Sequence, residues 1–547
     1  MNLFRRLAVL GAAAFALCVT APAQAAEGPV VRTPDGALLG VAENGVSVFK
    51  GIRYAQAPVG PNRWRPPVPA PKWQGGLRAT EFGPACWQPV PRAQSIYSDP
   101  PAKMAEDCLF LNVWAPPNAK GAPVMVWIHG GSLVGGFSHA GIYDGARLAK
   151  QGVVVVSINY RLGILGYLAH PGLSAESPQK VSGNYGLLDQ IEALRWVKRN
   201  IAAFGGDPSQ VTIAGESAGG LSVMYLMAAP DARGLFSKAI AQSAYMISMP
   251  ELKARRFGEM PAEAIGAALA AKLGAADVAQ LRAASAQDLV NAAPATGYFP
   301  LGTVDGKVLP RQLVEVFDRG EQAPVPILAG SNSGEIRSLR FLVPPPPATA
   351  AEYEAAIRAR YGDLADAILK LYPSADYKES MLSTTRDALY TWTAERLVRR
   401  QTALGRPSYL YFWDHGFPAS DSIGLHGFHG GEIPFAFGTL DRTPPNWPKA
   451  EPDARETALS DAMVGYWASF VKSGRPTAAG APDWPAFGEQ QAYMAFEDKP
   501  QAKTDVEPGA YELYEEVVCR RRAAGDQNWN WNVGVIAPDL PPKASCT

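Results

Sequence analysis

Residues 215–220 read GESAGG and follow the apolar run VTIA at 211–214. A glycine two residues before Ser217 and another two after it let a strand reverse sharply into a helix without side-chain clash. Ser217 then stands at the tip of a tight elbow. Backbone of that kind costs about 1–3 kcal/mol, and an exposed nucleophile is the usual reason for keeping it. A serine in an ordinary glycine-rich loop matches the same short pattern, so the serine's partners have to decide.

A serine hydroxyl is a weak nucleophile and needs a base, which in turn needs an acid to orient it and balance its charge. The chain has six histidines: His129, His139, His170, His415, His426 and His429. The strand-like VPILAG at 325–330 is followed by SNSGE, which sets Glu335 just beyond a strand end. SYLYFWDH at 408–415 leads on to GLHGFHGGEIPFAFG, which carries His426 and His429. Serine, acid and base therefore occur in the chain order Ser217, Glu335, His429, with His426 the competing base. A metal-ligand reading of His426 and His429 lacks acidic or cysteine partners at an interpretable spacing. No metal or cofactor is expected.

The elements that must position these residues are legible as periodicity. Unbroken apolar runs at 123–131, 152–160, 211–215, 238–243, 325–332 and 408–415 predict strands buried on both faces, as in a parallel sheet. Leu187, Ile191, Leu194, Val197 and Ile201 recur every three or four residues and predict one helix before FGGDP. The alternation is βαβ-like. Segments at about 250–290 and 351–372 predict helical excursions able to roof a pocket, and Pro344–Pro347 a stiff surface link.

With 47% hydrophobic residues in 547, the chain can bury a large core. Its 51 basic residues equal its 51 acidic ones, so no global field favours nucleic acid or an anionic membrane. At the N-terminus, Arg5 and Arg6 precede an apolar run from Leu7 to Val19, and Ala23 and Ala25 form an A-x-A pattern. A signal peptide over 1–25 is expected, with cleavage after Ala25, a mature single domain at 26–547 and a periplasmic or secreted product. Both the Sec and the twin-arginine route fit the paired arginines. Export leaves four cysteines, which allow three pairings. The simplest joins Cys86 to Cys108 and Cys519 to Cys546; a metal site is the weaker alternative, because no pair has C-x-x-C spacing.

FGGDPSQVTIAGESAG at 204–219, EDCLFLNVWAP at 106–116, GIRYAQAPVG, NYRLGILGYL, GNYGLLDQIEALRWV and YWASFVKSGRP together resemble the type B carboxylesterase family, which includes the cholinesterases. The resemblance spans nearly the whole mature chain. It implies an α/β-hydrolase fold, a mostly parallel sheet flanked by helices with helical insertions over the active site. It also implies a serine esterase acting on small-molecule carboxylic esters, with Ser217 as nucleophile, Glu335 as acid and His429 as base. A Cys86–Cys108 disulfide is implied too.

The same resemblance assigns the oxyanion donors to the backbone amides of Gly131 and Ser132 in WIHGGS, together with Ala218. Ser132 replaces the family's commonest glycine; since the donor is an amide, a small side chain pointing away is compatible. Arg53 stands where the family commonly has proline, and Glu335 lacks the usual following glycine. The Cys86–Cys108 loop has only Trp87, next to the first cysteine, so choline recognition is not carried over. Competing readings are an amidase or lactonase on a larger substrate and a catalytically silent adhesion or binding member of the fold. Glu216 is expected near the pocket, and the tail NWNWN at 528–532 is expected to dock on the body.

Overall fold

Along Ala122–Ile128, Val124, Val126 and Ile128 pack into one apolar cluster while Met125 and Trp127 pack into another. Side chains on a strand alternate between faces, so a strand with no polar position is covered on both. Each such buried aliphatic side chain stabilises the fold by about 1.5–3 kcal/mol. A few of them offset the strain of one tight turn.

The protein, as a computed structural model, is described over residues 28–90 and 94–543. The signal-peptide region and Cys546, hence the Cys519–Cys546 pairing, lie outside the described residues. Eleven strands make the main sheet: β1 (Val41–Glu43), β2 (Val46–Arg53), β3 (Phe110–Ala115), β4 (Ala122–Ile128), β5 (Val154–Ile158), β6 (Gly206–Glu216), β7 (Lys238–Gln242), β8 (Ile327–Asn332), β9 (Ser408–Trp413), β10 (Ala492–Phe496) and β11 (Pro500–Thr504). Their spatial order is β11-β10-β9-β8-β7-β6-β4-β5-β3-β2-β1. The seven from β5 to β10 in that order pair in parallel, and antiparallel strands close both ends. All six runs predicted as strands are strands.

Helices Tyr185–Asn200 and Ala218–Ala228 follow the predicted stripe and the serine elbow. The excursion near 250–290 is helical only from Ala262, as three short helices ending at Ala292, because the stretch before it holds Pro250 and Pro261 and pairs as isolated bridges instead. Ala350–Tyr361 and Ala365–Leu371 form the second excursion. Among the described residues no helix is long and apolar enough to cross a membrane. Arg53 bonds Asp107 through both guanidinium nitrogens and lies 4.6 Å over the Phe110 ring, tying β2 to the start of β3.

Candidate active site

Ser217 has φ 56° and ψ −120°, between the end of β6 and the helix that starts at Ala218. The two flanking glycines are required by contact rather than by φ. A Cβ on Gly219 would sit 2.0 Å from the Ile128 carbonyl oxygen, and one on Gly215 would sit 2.5 Å from the Gly219 carbonyl carbon. Only hydrogen fits at either position. The Ser217 amide donates to the Gln242 carbonyl at 2.9 Å, which pins the elbow to β7.

Beside the elbow runs the loop after β4. Gly131 has φ 105°, and Ser132 and Leu133 follow at 56° and 58°. Gly130 is so close to the serine that a Cβ there would lie 3.1 Å from that of Ser217. Gly131, Ser132 and Ala218, the expected oxyanion donors, thus lie on two segments that meet at Ser217. His129 does not face the serine: its ring stacks on Tyr160 at 4.5 Å, and its Nδ1 pairs with the Gly130 carbonyl at 2.8 Å. Burial lowers its pKa to about 4, so it stays neutral while bracing the loop.

Glu335 opens the short helix Glu335–Ser338 just past β8, beyond the strand end where the sequence set it. Its Oε1 accepts the Asn332 amide at 2.9 Å, and its Oε2 makes a short contact with Nδ1 of His429. Glu335 is wholly buried and His429 nearly so. The other ring nitrogen, Nε2, lies 3.1 Å from Glu216 Oε1, although that oxygen lacks hydrogen-bond geometry to any group among the described residues. Burial works against the imidazolium, but the charges of Glu216 and Glu335 outweigh it and raise His429 to about 9. Burial raises Glu216 to about 8, with His429 opposing and Glu432 and Glu335 adding. Both groups therefore hold their protons more tightly than they would in water.

His426, the competitor, points elsewhere: its ring bonds Asp421 at 2.8 Å and Asp414 at 3.1 Å, and it is half-exposed. His415 pairs with Glu456 at 2.7 Å, His139 stacks on Phe82 at 4.9 Å, and His170 caps a helix by accepting from the Gly172 amide. Of the six histidines, only His429 meets the acid at Glu335.

Several residues in this arrangement were not singled out from sequence. Gln242 and Asn332 end β7 and β8 and bond the two oxygens of the buried Glu432 at 2.9 and 2.6 Å. Asn332 also donates to the Phe428 carbonyl at 2.8 Å, holding the segment that leads to His429. A polar side chain closing an apolar buried strand is the signal that would have found both.

The Cys86–Cys108 disulfide is formed, and two residues of the loop it closes, Gln88 and Tyr97, brace the site. Gln88 bonds Gly136 in both directions, at 2.8 and 3.0 Å, clamping the end of the glycine loop. Tyr97 donates to the His429 carbonyl at 2.8 Å and shares a 2.7 Å bond with Ser338, on the helix that Glu335 opens.

A family model described as the carboxylesterase family matches residues 27–514. The chain belongs to the carboxylesterase family. It is 36% identical to the fumonisin B1 esterase of Sphingopyxis macrogoltabida over 496 residues, covering 88% of this chain and 89% of that protein. With the para-nitrobenzyl esterase of Bacillus subtilis (strain 168) it shares 36% identity over 468 residues, 84% of this chain and 93% of the other. A solved structure titled PNB esterase superposes with TM-score 0.77 at 33% identity, covering 88% of this chain and 99% of that one. This carboxylesterase accordingly has the α/β-hydrolase fold and is a carboxylic ester hydrolase. In it the elbow, the glycine loop and the Glu335–His429 pair all lie at the carboxyl ends of β4, β6, β8 and β9.

Proposed function

We propose that this carboxylesterase cleaves small-molecule carboxylic esters in two steps through an acyl-enzyme on Ser217. Ser217 Oγ bonds to the ester carbonyl carbon while His429, oriented by Glu335, accepts the hydroxyl proton. The carbonyl oxygen becomes an oxyanion and takes hydrogen bonds from the Gly131, Ser132 and Ala218 amides; loss of one such donor typically costs about 10²–10³ in rate. Collapse breaks the ester C–O bond, and His429 passes its proton to the departing alcohol. Water then repeats the sequence on the acyl-enzyme, releasing the acid and restoring Ser217.

The observation that carries this reading is the contact of Glu335 Oε2 with His429 Nδ1, which leaves Nε2 facing Glu216, the residue before the nucleophile. The chemistry of these side chains asks for no metal or cofactor. The reading includes export: Arg5, Arg6 and the apolar run after them support a signal peptide cleaved after Ala25, with 26–547 folding as one domain.

Acid quenching during turnover of p-nitrophenyl acetate, followed by peptide mass spectrometry, tests the intermediate. The reading predicts an acetyl group on the peptide containing Ser217, absent from Ser217→Ala. Turnover with no adduct at Ser217, or with one elsewhere, would overturn it.

A further inference from the structure

The asparagine- and tryptophan-rich tail is more than a docked end. Trp529 is wholly buried, with its ring 6.4 Å from that of Trp392. Next to it, Asn530 is 1% exposed, and its side-chain amide donates to two main-chain carbonyls at once, Met246 at 3.0 Å and Ala388 at 2.9 Å. Those carbonyls belong to segments 142 residues apart in sequence. Its backbone amide is fixed by the Asn528 side chain at 3.1 Å, which in turn bonds Glu259 at 3.0 Å.

Both joined segments reach the candidate site. Met246 follows Tyr245, on the loop after β7, and a Cβ on Gly220 of the serine helix would lie 2.9 Å from Ala244 Cβ. Ala388 lies in the single π-helical turn Asp387–Thr391, an irregularity that often marks functional positions. That turn presents Tyr390, whose ring is 5.4 Å from the His429 ring and 6.0 Å from Tyr245. Tyr390 thus stands beside His429, with Tyr245 packed edge-on against it. Their segments are tied at one further point, the Met246 amide donating to Thr393 Oγ1 at 2.9 Å.

Two buried carbonyls facing one another need donors, and a primary amide supplies two N–H groups from one nitrogen. A carboxylate would repel both, and an alanine would remove both bonds. We propose that Asn530 is a positioning residue for ester selection. It fixes the spacing of Tyr245 and Tyr390 and so sets how closely the Tyr390 ring approaches His429, and with it the room for an ester there. The proposal rests on the Ser217–His429 reading and deepens it.

The test compares kcat and KM for p-nitrophenyl acetate and octanoate in the wild type, Asn530→Ala, Asn528→Ala and Trp531→Ala. The Trp531 ring lies tilted 6.1 Å from that of Phe299, while both carbonyls take their side-chain bonds from Asn530, so Trp531 serves as the control on the tail. Asn530→Ala is expected to change the octanoate-to-acetate ratio of kcat/KM by at least about fivefold, within the range that pocket fit controls. Asn528→Ala, which only loosens the Asn530 backbone, should shift the ratio in the same direction by less, and it carries the test if Asn530→Ala fails to fold. Trp531→Ala should leave the ratio unchanged. An unchanged ratio in both asparagine variants, even with a lowered unfolding temperature, would overturn the proposal and leave Asn530 a fold residue only. Loss of all turnover in Ser217→Ala reports separately on the underlying reading.

Discussion

Glu216 Oε1 lies 3.1 Å from His429 Nε2, so the residue preceding the nucleophile, once ionised, sets a negative charge against the candidate base. That charge helps hold His429 at about 9, and a protonated imidazole cannot take a proton. Activity should therefore rise with pH as the imidazolium loses its proton. Glu216→Gln removes the charge that favours the imidazolium, which lowers the pKa of His429. The acid limb of kcat/KM should move down by about one pH unit or more, a unit being roughly 1.4 kcal/mol. A pH–rate profile in which the limb stays or moves up would contradict this.

Tyr97→Phe keeps the ring edge against Trp447, at 5.5 Å and 85°, but removes the bonds to the His429 carbonyl and Ser338. Leaving a buried carbonyl unpaired costs about 1–3 kcal/mol, and a small misplacement of His429 follows. The variant should lose roughly tenfold in kcat with little change in KM, since positioning acts on the reacting geometry. Steady-state kinetics with kcat intact would show that the disulfide loop does not position the base.

Ser132 has φ 56°, a left-handed conformation that glycine adopts freely and proline cannot. Ser132→Gly should keep wild-type activity and hold or raise the unfolding temperature, because it relieves roughly 1–2 kcal/mol of left-handed strain. Ser132→Pro should abolish turnover. Equal losses in the two variants, measured with p-nitrophenyl butyrate, would remove the backbone of Ser132 from the account.

His426 should prove structural. Its bond to Asp414, opposed by burial and aided by Asp421, raises its pKa to about 9 from 6.5. A raised folded-state pKa means the stabilisation is complete below pH 6.5 and is lost as pH climbs through 9. His426→Gln should lower the unfolding temperature at pH 6, much less at pH 9.5, and leave kcat/KM within about threefold. A pH-independent loss of stability, or an inactive variant, would contradict this.

Six of the seven parallel strands were legible as unbroken apolar runs of the kind two-sided burial produces, while β10 was not read as a strand. The antiparallel strands β1 and β11 were not, since both are short and half-exposed edges that carry Glu43, Gln501 and Lys503. Glu335 and His429 each follow a recognisable strand in a workable chain order, but the family resemblance is what singled them out. Tyr97, Gln88 and Asn530 could not be named. Their partners are backbone atoms as far as 332 residues away in sequence, and nothing local in a loop or tail encodes a carbonyl that only the finished fold delivers. The excursion after Pro250 was overextended because composition there is helical while Pro250 and Pro261 set the boundary.

The central claim is that Ser217 and His429 carry out ester hydrolysis together. It is tested most directly by the rates of p-nitrophenyl acetate, butyrate and octanoate hydrolysis by purified protein beside Ser217→Ala and His429→Ala. The account predicts clear wild-type turnover that falls by about 10³ or more in each variant, and by no more when the two are combined, because the residues act as a unit. Substantial turnover retained in either single variant would contradict it.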